Sequence, residues 1–100
     1  FALGSTCGLT TLEYESGLIK DLKSFFEKIL PSNKEYEHCK KWGDCNAVSH
    51  LLSALIKTFL ILPVRNNDLF LGTWQNVVFI DFDKRARERE IIVEVFELKN

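Results

Sequence analysis

Between residues 16 and 30 apolar side chains recur at helical spacing, Leu18, Ile19, Leu22, Phe25, Phe26, Ile29 and Leu30, while Lys20, Lys23, Glu27 and Lys28 fall off that stripe. The spacing predicts an amphipathic helix with Ser16 as N-cap and Pro31 as its stop. Upstream, residues 8–15 alternate crudely between apolar or β-branched and polar types, which suits a half-buried strand ending in Glu13 and Glu15. A second helical face is spelled by Ala47, Val48, Leu51, Leu52, Leu55 and Ile56, with Asp44 or Asn46 available as its cap.

The remaining pattern is mostly of period two. Residues 59–64 read as a strand, 65–68 as a turn, 69–71 as a short strand, and 76–83 as a strand with Val77, Phe79 and Asp81 opposite Val78, Ile80 and Phe82. A charged turn over 84–90 then leads into 91–98, which is expected to close an antiparallel hairpin. Residues 31–44 are polar and irregular, a long connector of the kind that often carries a site. Together these elements predict one α+β domain over residues 1–100, a mixed, mostly antiparallel sheet with two helices.

Composition narrows the classes. One hundred residues with 46% hydrophobic content can build one small core, and the modest burial open to a chain this short favours self-association. Thirteen basic and 14 acidic residues leave a net charge of −1, so no global field points to nucleic acid or to an anionic membrane. No apolar run reaches the roughly 20 residues needed to span a bilayer. Cys7, Cys39 and Cys45 match neither a C-x-x-C pair nor a disulfide framework, and read as free thiols in a reducing, cytoplasmic setting. The chain opens at Phe1 and has no methionine, so it is expected to be an N-terminally incomplete domain, with Phe1 to Leu3 the end of a strand. No phosphate-cradling Gly-rich loop, G-x-S-x-G or H-E-x-x-H motif is present.

Chemistry-bearing residues come in ordered blocks: Gly4-Ser5-Thr6, Thr10-Thr11-Leu12-Glu13-Tyr14-Glu15, Tyr36-Glu37-His38, Trp42-Gly43-Asp44, Asn46-Ala47-Val48-Ser49-His50, Leu62-Pro63-Val64, Gly72-Thr73-Trp74-Gln75, and Asp81-Phe82-Asp83 followed by Arg85 and Arg87. In order and spacing the chain resembles the YjbQ-like family, often labelled secondary thiamine-phosphate synthase. That resemblance implies small α+β subunits that form a homotrimer, further strands before Phe1, a site near a subunit boundary, and a weak ability to join a pyrimidine methyl diphosphate to a thiazole phosphate. Many members carry His-Thr-Thr where this chain has Gly4-Ser5-Thr6, and a subgroup carries histidine where it has Val48. Val48 neither ligates nor transfers a proton.

Asn46 and His50 are four apart and share a helix face, and imidazole suits proton transfer or metal binding. His50, Glu13 and Gln75 are the catalytic candidates. Ser5 and Thr6, Asn46 and Arg87 are the candidates for holding a small phosphate-containing molecule, since hydroxyls, backbone N–H groups and guanidinium all receive phosphate oxygens. Glu13 and Glu15 point the same way from a strand and, with His38, are candidates for a divalent cation such as magnesium; two histidines fall short of a zinc set. For each there is a plainer reading: His50 bonded within the fold, His38 in solvent, the carboxylates at a sheet end, Ser5 and Thr6 in a turn, the arginines at a soluble hairpin tip, and Trp74 in the core.

Overall fold

The computed structural model describes residues 1–42 and 45–99, so the Asp44 cap and the Gly43-Asp44 part of its block lie outside the described residues. Seven elements follow in order: β1 (Cys7–Leu12), α1 (Ser16–Ile29), α2 (Glu37–Trp42), α3 (Ala47–Ile56), β2 (Val64–Arg65), β3 (Asp68–Leu69) and β4 (Asn76–Asp81). The α+β class holds. A third helix, α2, sits inside the connector that reads as irregular in sequence, with Glu37 in its first turn and Lys40 and Lys41 in its last, charges that suit the helix dipole.

β1 and β4 form an antiparallel ribbon from Cys7 opposite Asp81 to Leu12 opposite Asn76. Leu9 and Val78 are both buried but on opposite faces of the ribbon, and α3 packs across β1 on the face of Gly8 and Val78. Gly8 is where that packing is tightest: a Cβ there would lie 2.9 Å from Ile56 Cγ2 and 3.2 Å from the Lys57 carbonyl oxygen. We therefore expect Gly8→Ala to lower stability by about 1–3 kcal/mol, read from the denaturant midpoint at unchanged m-value.

The first strand ends at Leu12, short of the expected Glu15, because Glu15 has another task. Its carboxylate accepts from the backbone N–H groups of Gly17 and Leu18, so Glu15 caps α1 in place of Ser16. These bonds hold its carboxyl below the usual range, the Gly17 N–H contributing most. Of the apolar stripe of α1, Leu18, Ile19, Leu22 and Phe26 are half-buried, while Phe25 and Ile29 stay exposed. Phe26 meets Phe82 edge-on at 5.8 Å.

Downstream the strands are shorter than alternation suggests. Of residues 59–64 only Val64 joins a strand; it pairs with Leu69, as Arg65 does with Asp68, around Asn66 and Asn67. Both asparagines have positive φ, 53° and 61°, as a tight hairpin turn requires. The expected hairpin between 76–83 and 91–98 does not form. Ile91 bridges Ala2 instead, and Ile92 exchanges backbone hydrogen bonds with Phe1. The reason lies in the charged stretch 84–90, where Arg87 pairs with Asp83 and Arg89 with Asp81, folding the chain back on itself rather than along β4.

The cysteines also differ from expectation. Cys39 and Cys45 form a disulfide, because α2 returns the chain until their Cα atoms are 4.5 Å apart, and Cys7 is a buried free thiol. The free-thiol argument for a reducing compartment is lost with that pairing. The molecule measures 53 × 29 × 23 Å with a radius of gyration of 16.1 Å, against about 13 Å for a compact chain of this length. Phe70, Trp74, Val93, Val95 and Phe96 are exposed accordingly.

Candidate functional site

The start of β1, the start of α3 and the segment after β4 meet at one end of the ribbon. Thr6 is buried there, with its hydroxyl donating to Asp83 Oδ2 at 3.1 Å and accepting from Arg89 Nη2 at 2.7 Å. Arg87 Nε donates to the same carboxylate, and Arg89 grips Asp81 with two bonds, Nε to Oδ2 at 3.0 Å and Nη2 to Oδ1 at 2.9 Å. Burial alone would push the Asp83 carboxyl up; the Arg85 backbone N–H, the Arg87 guanidinium and the Thr6 hydroxyl outweigh it and bring it to about 2. The Arg89 hydrogen bond lowers Asp81 in turn, and Asp81 raises Arg89.

Against this network opens a cleft of about 500 Å³, whose lining includes Ser5, Thr6, Asn46, His50, Asp83 and Arg87 together with Glu88 and Arg89. Asn46 holds the N-cap position of α3 yet makes no capping bond; its Oδ1 lies 2.9 Å from His38 Nε2. That bond requires His38 to carry its proton on Nε2. The His38 ring then meets the His50 ring edge-on, centroids 5.1 Å apart. An amide that forgoes its cap to orient one imidazole against another gives His50 a fixed neighbour at the cleft wall. Such an arrangement can hold a proton at His50 and present hydroxyls to an anion.

Five residues named from sequence thus come together: Ser5, Thr6, Asn46, His50 and Arg87, with His38 behind them. The expectation that Gln75 and Glu13 face the same pocket is not met within the chain. Both lie past the Leu12 end of β1, about 17 Å from Cys7 at about 3.3 Å per residue. Gln75 is occupied with folding: its Oε1 accepts from the Gly72 N–H at 2.8 Å, and its Nε2 donates to Thr11 Oγ1 at 3.4 Å. Trp74, expected to pack, is 71% exposed. Glu13 is exposed, and Glu15 is committed to its cap.

The cation expectation fares no better on donor chemistry. His38 and Glu15 stand at opposite ends of β1, and no group of three or more His, Cys, Asp or Glu suited to a metal occurs among the described residues. The sequence reading missed Asp83 as a member of the cleft and placed Arg89, a candidate phosphate clamp with Arg85 and Arg87, behind Arg87; the signal available was an Asp-x-Asp with arginines four and eight residues on, short enough to fold back as ion pairs.

A profile described as UPF0047 protein, YjbQ-like, matches residues 1–98. The chain belongs to this YjbQ-like family. A UPF0047 protein of Archaeoglobus fulgidus is 39% identical over 90 residues, 90% of this chain and 69% of that protein. Another from Methanothermobacter thermautotrophicus is 37% identical over 95% of the chain and 64% of its own length. Among solved structures, a crystal structure described as a YbjQ-like protein of unknown function from Sulfolobus solfataricus superposes with TM-score 0.82 at 29% identity, covering 89% of this chain and 63% of that one. The chain therefore spans about two thirds of the YjbQ-like relatives it matches. No helix among the described residues is long and apolar enough to cross a membrane.

Proposed function

We propose that the His50 cleft binds a small phosphate-containing molecule, and that its chemistry is, or descends from, the condensation of a pyrimidine methyl diphosphate with a thiazole phosphate. What carries the reading is that His50, Ser5 and Arg87 line one cleft, with His38 and Asn46 bracing the imidazole. In that condensation the methylene C–O bond breaks, its electron pair leaves with pyrophosphate, and the thiazole nitrogen lone pair forms the new C–N bond. His50 would protonate the departing oxygen, and the Ser5 hydroxyl would receive a phosphate oxygen, while the Thr6 hydroxyl stays committed to Asp83 and Arg89. The reaction needs no redox partner.

Self-association as a homotrimer and a cytoplasmic location belong to the same proposal. The exposed Phe70, Trp74 and Phe96 are the surface that assembly would cover. Sedimentation of the intact protein is expected to give three subunits.

One observation favours a second reading, binding without conversion: Arg87 and Arg89 are already neutralised by Asp83 and Asp81. Thermal shift across phosphate metabolites, paired with a condensation assay on wild type and Val48→His, separates the two. Turnover in wild type, or a gain of turnover in the variant, supports an enzyme or its relic; stabilisation with no product in either supports a binding protein.

A further inference from the structure

A second hollow of about 380 Å³ adjoins the first and shares Gly4, Ser5 and His50 with it. Its other wall is Ser53, Lys57 and Phe59, so His50 stands between two halves of one longer cleft. The two halves differ in charge balance. In the first, the guanidiniums are paired with Asp81 and Asp83. In the second, Lys57 faces no carboxylate partner among the described residues.

Lys57 also sits where a lysine is costly. It follows α3 with φ 82° and ψ 159°, backbone that favours glycine. The conformation is pinned from both sides: the Lys57 N–H donates to the Ser53 carbonyl at 2.9 Å, and the Leu9 N–H donates to the Lys57 carbonyl at 3.0 Å. The backbone therefore stays in place whatever the side chain, and a glycine would relax it. A cation at this C-cap suits the dipole of α3, but by less than such backbone costs, so stability alone does not account for lysine at this point. The cleft offers a reason, because Lys57 and Ser5 line the same hollow, and an ammonium without a carboxylate partner is what an anionic group would use.

We propose that Lys57 is a ligand-binding residue: it seats an anionic group of the phosphate or diphosphate class in the second half of the cleft, on the far side of His50 from Arg87. This deepens the phosphate-binding reading of the His50 cleft and rests on it. The ligand then spans His50, with Phe59, half-exposed on the same wall, available to the flat or apolar part of the molecule.

The test is calorimetric titration of the intact protein with inorganic pyrophosphate, together with melting temperatures, for wild type, Lys57→Gly, Lys57→Gln, His50→Gln and Arg87→Gln. Lys57→Gly is expected to raise Tm by about 5 °C, through relief of the backbone, while weakening pyrophosphate about tenfold. Lys57→Gln should weaken it equally without the gain in Tm. Affinity that falls in His50→Gln or Arg87→Gln but is unchanged in both Lys57 variants overturns the assignment of Lys57 and leaves the cleft reading standing. A wild type that takes up no pyrophosphate overturns both.

Discussion

Replacing Asp83 by asparagine is expected to cost the fold about 3 kcal/mol, because it leaves the Arg87 guanidinium without its carboxylate partner and Arg89 with Asp81 alone. Asp83 has a side chain only 3% exposed; it receives the Thr6 hydroxyl, the Arg87 guanidinium and the Arg85 N–H, and lies 3.7 Å from Arg89. Asparagine keeps the shape and removes the charge that these donors converge on. The pH dependence follows from the same contacts. The folded carboxyl titrates at about 2 against an ordinary 3.8, so its contribution is fully present above 3.8 and is lost as the pH falls towards 2. Denaturant midpoints collected from pH 5 to pH 2 should fall steeply for wild type over that window and more shallowly for Asp83→Asn. Equal slopes would show that Asp83 is not the group responsible.

His50→Ala is expected to reduce condensation about 100-fold or more in kcat/KM while leaving the melting temperature within a few degrees. The two readouts part because His50 is half-buried at the cleft wall, and its ring contact is with His38 rather than with the Ala2, Cys7 and Leu9 cluster. His38→Ala should act more weakly, by releasing the neighbouring ring rather than by removing the proton donor, and its effect should appear as a displaced pH–rate profile. If His50→Ala turned over as fast as wild type, the catalytic assignment would be gone.

How much of this was legible in the sequence depended on whether the signal was local. The apolar period of 16–30 and of 47–56 named α1 and α3, and alternation named β1 and β4, since each pattern needs only its own residues. The 84–90 segment misled because its meaning is tertiary: the same arginines that read as a hairpin tip fold back onto Asp81 and Asp83 and send residues 91 and 92 to Phe1 and Ala2. Glu15 misled because a carboxylate at a strand end and one at a helix N-cap look identical until the turn between them is known. Asn46 and His50 were legible as one helix face and His38 only as a metal-ligand partner of His50; its bond to Asn46 was not legible, because α2 and the Cys39–Cys45 link bring it back across an irregular stretch. The family blocks grouped Gln75 with His50 by order along the chain, whereas the antiparallel register places them at opposite ends of the ribbon. Lys57 carried no motif at all; only its backbone angles single it out.

The account rests on the site lying at the Cys7 end of β1, around His50. Residue-resolved NMR of the intact protein titrated with inorganic pyrophosphate addresses that directly. The account predicts saturable shifts at Ser5, the His50 imidazole and Lys57, with Glu13 and Gln75 unmoved; shifts that gather at Glu13 and Gln75 while His50 stays still would contradict it.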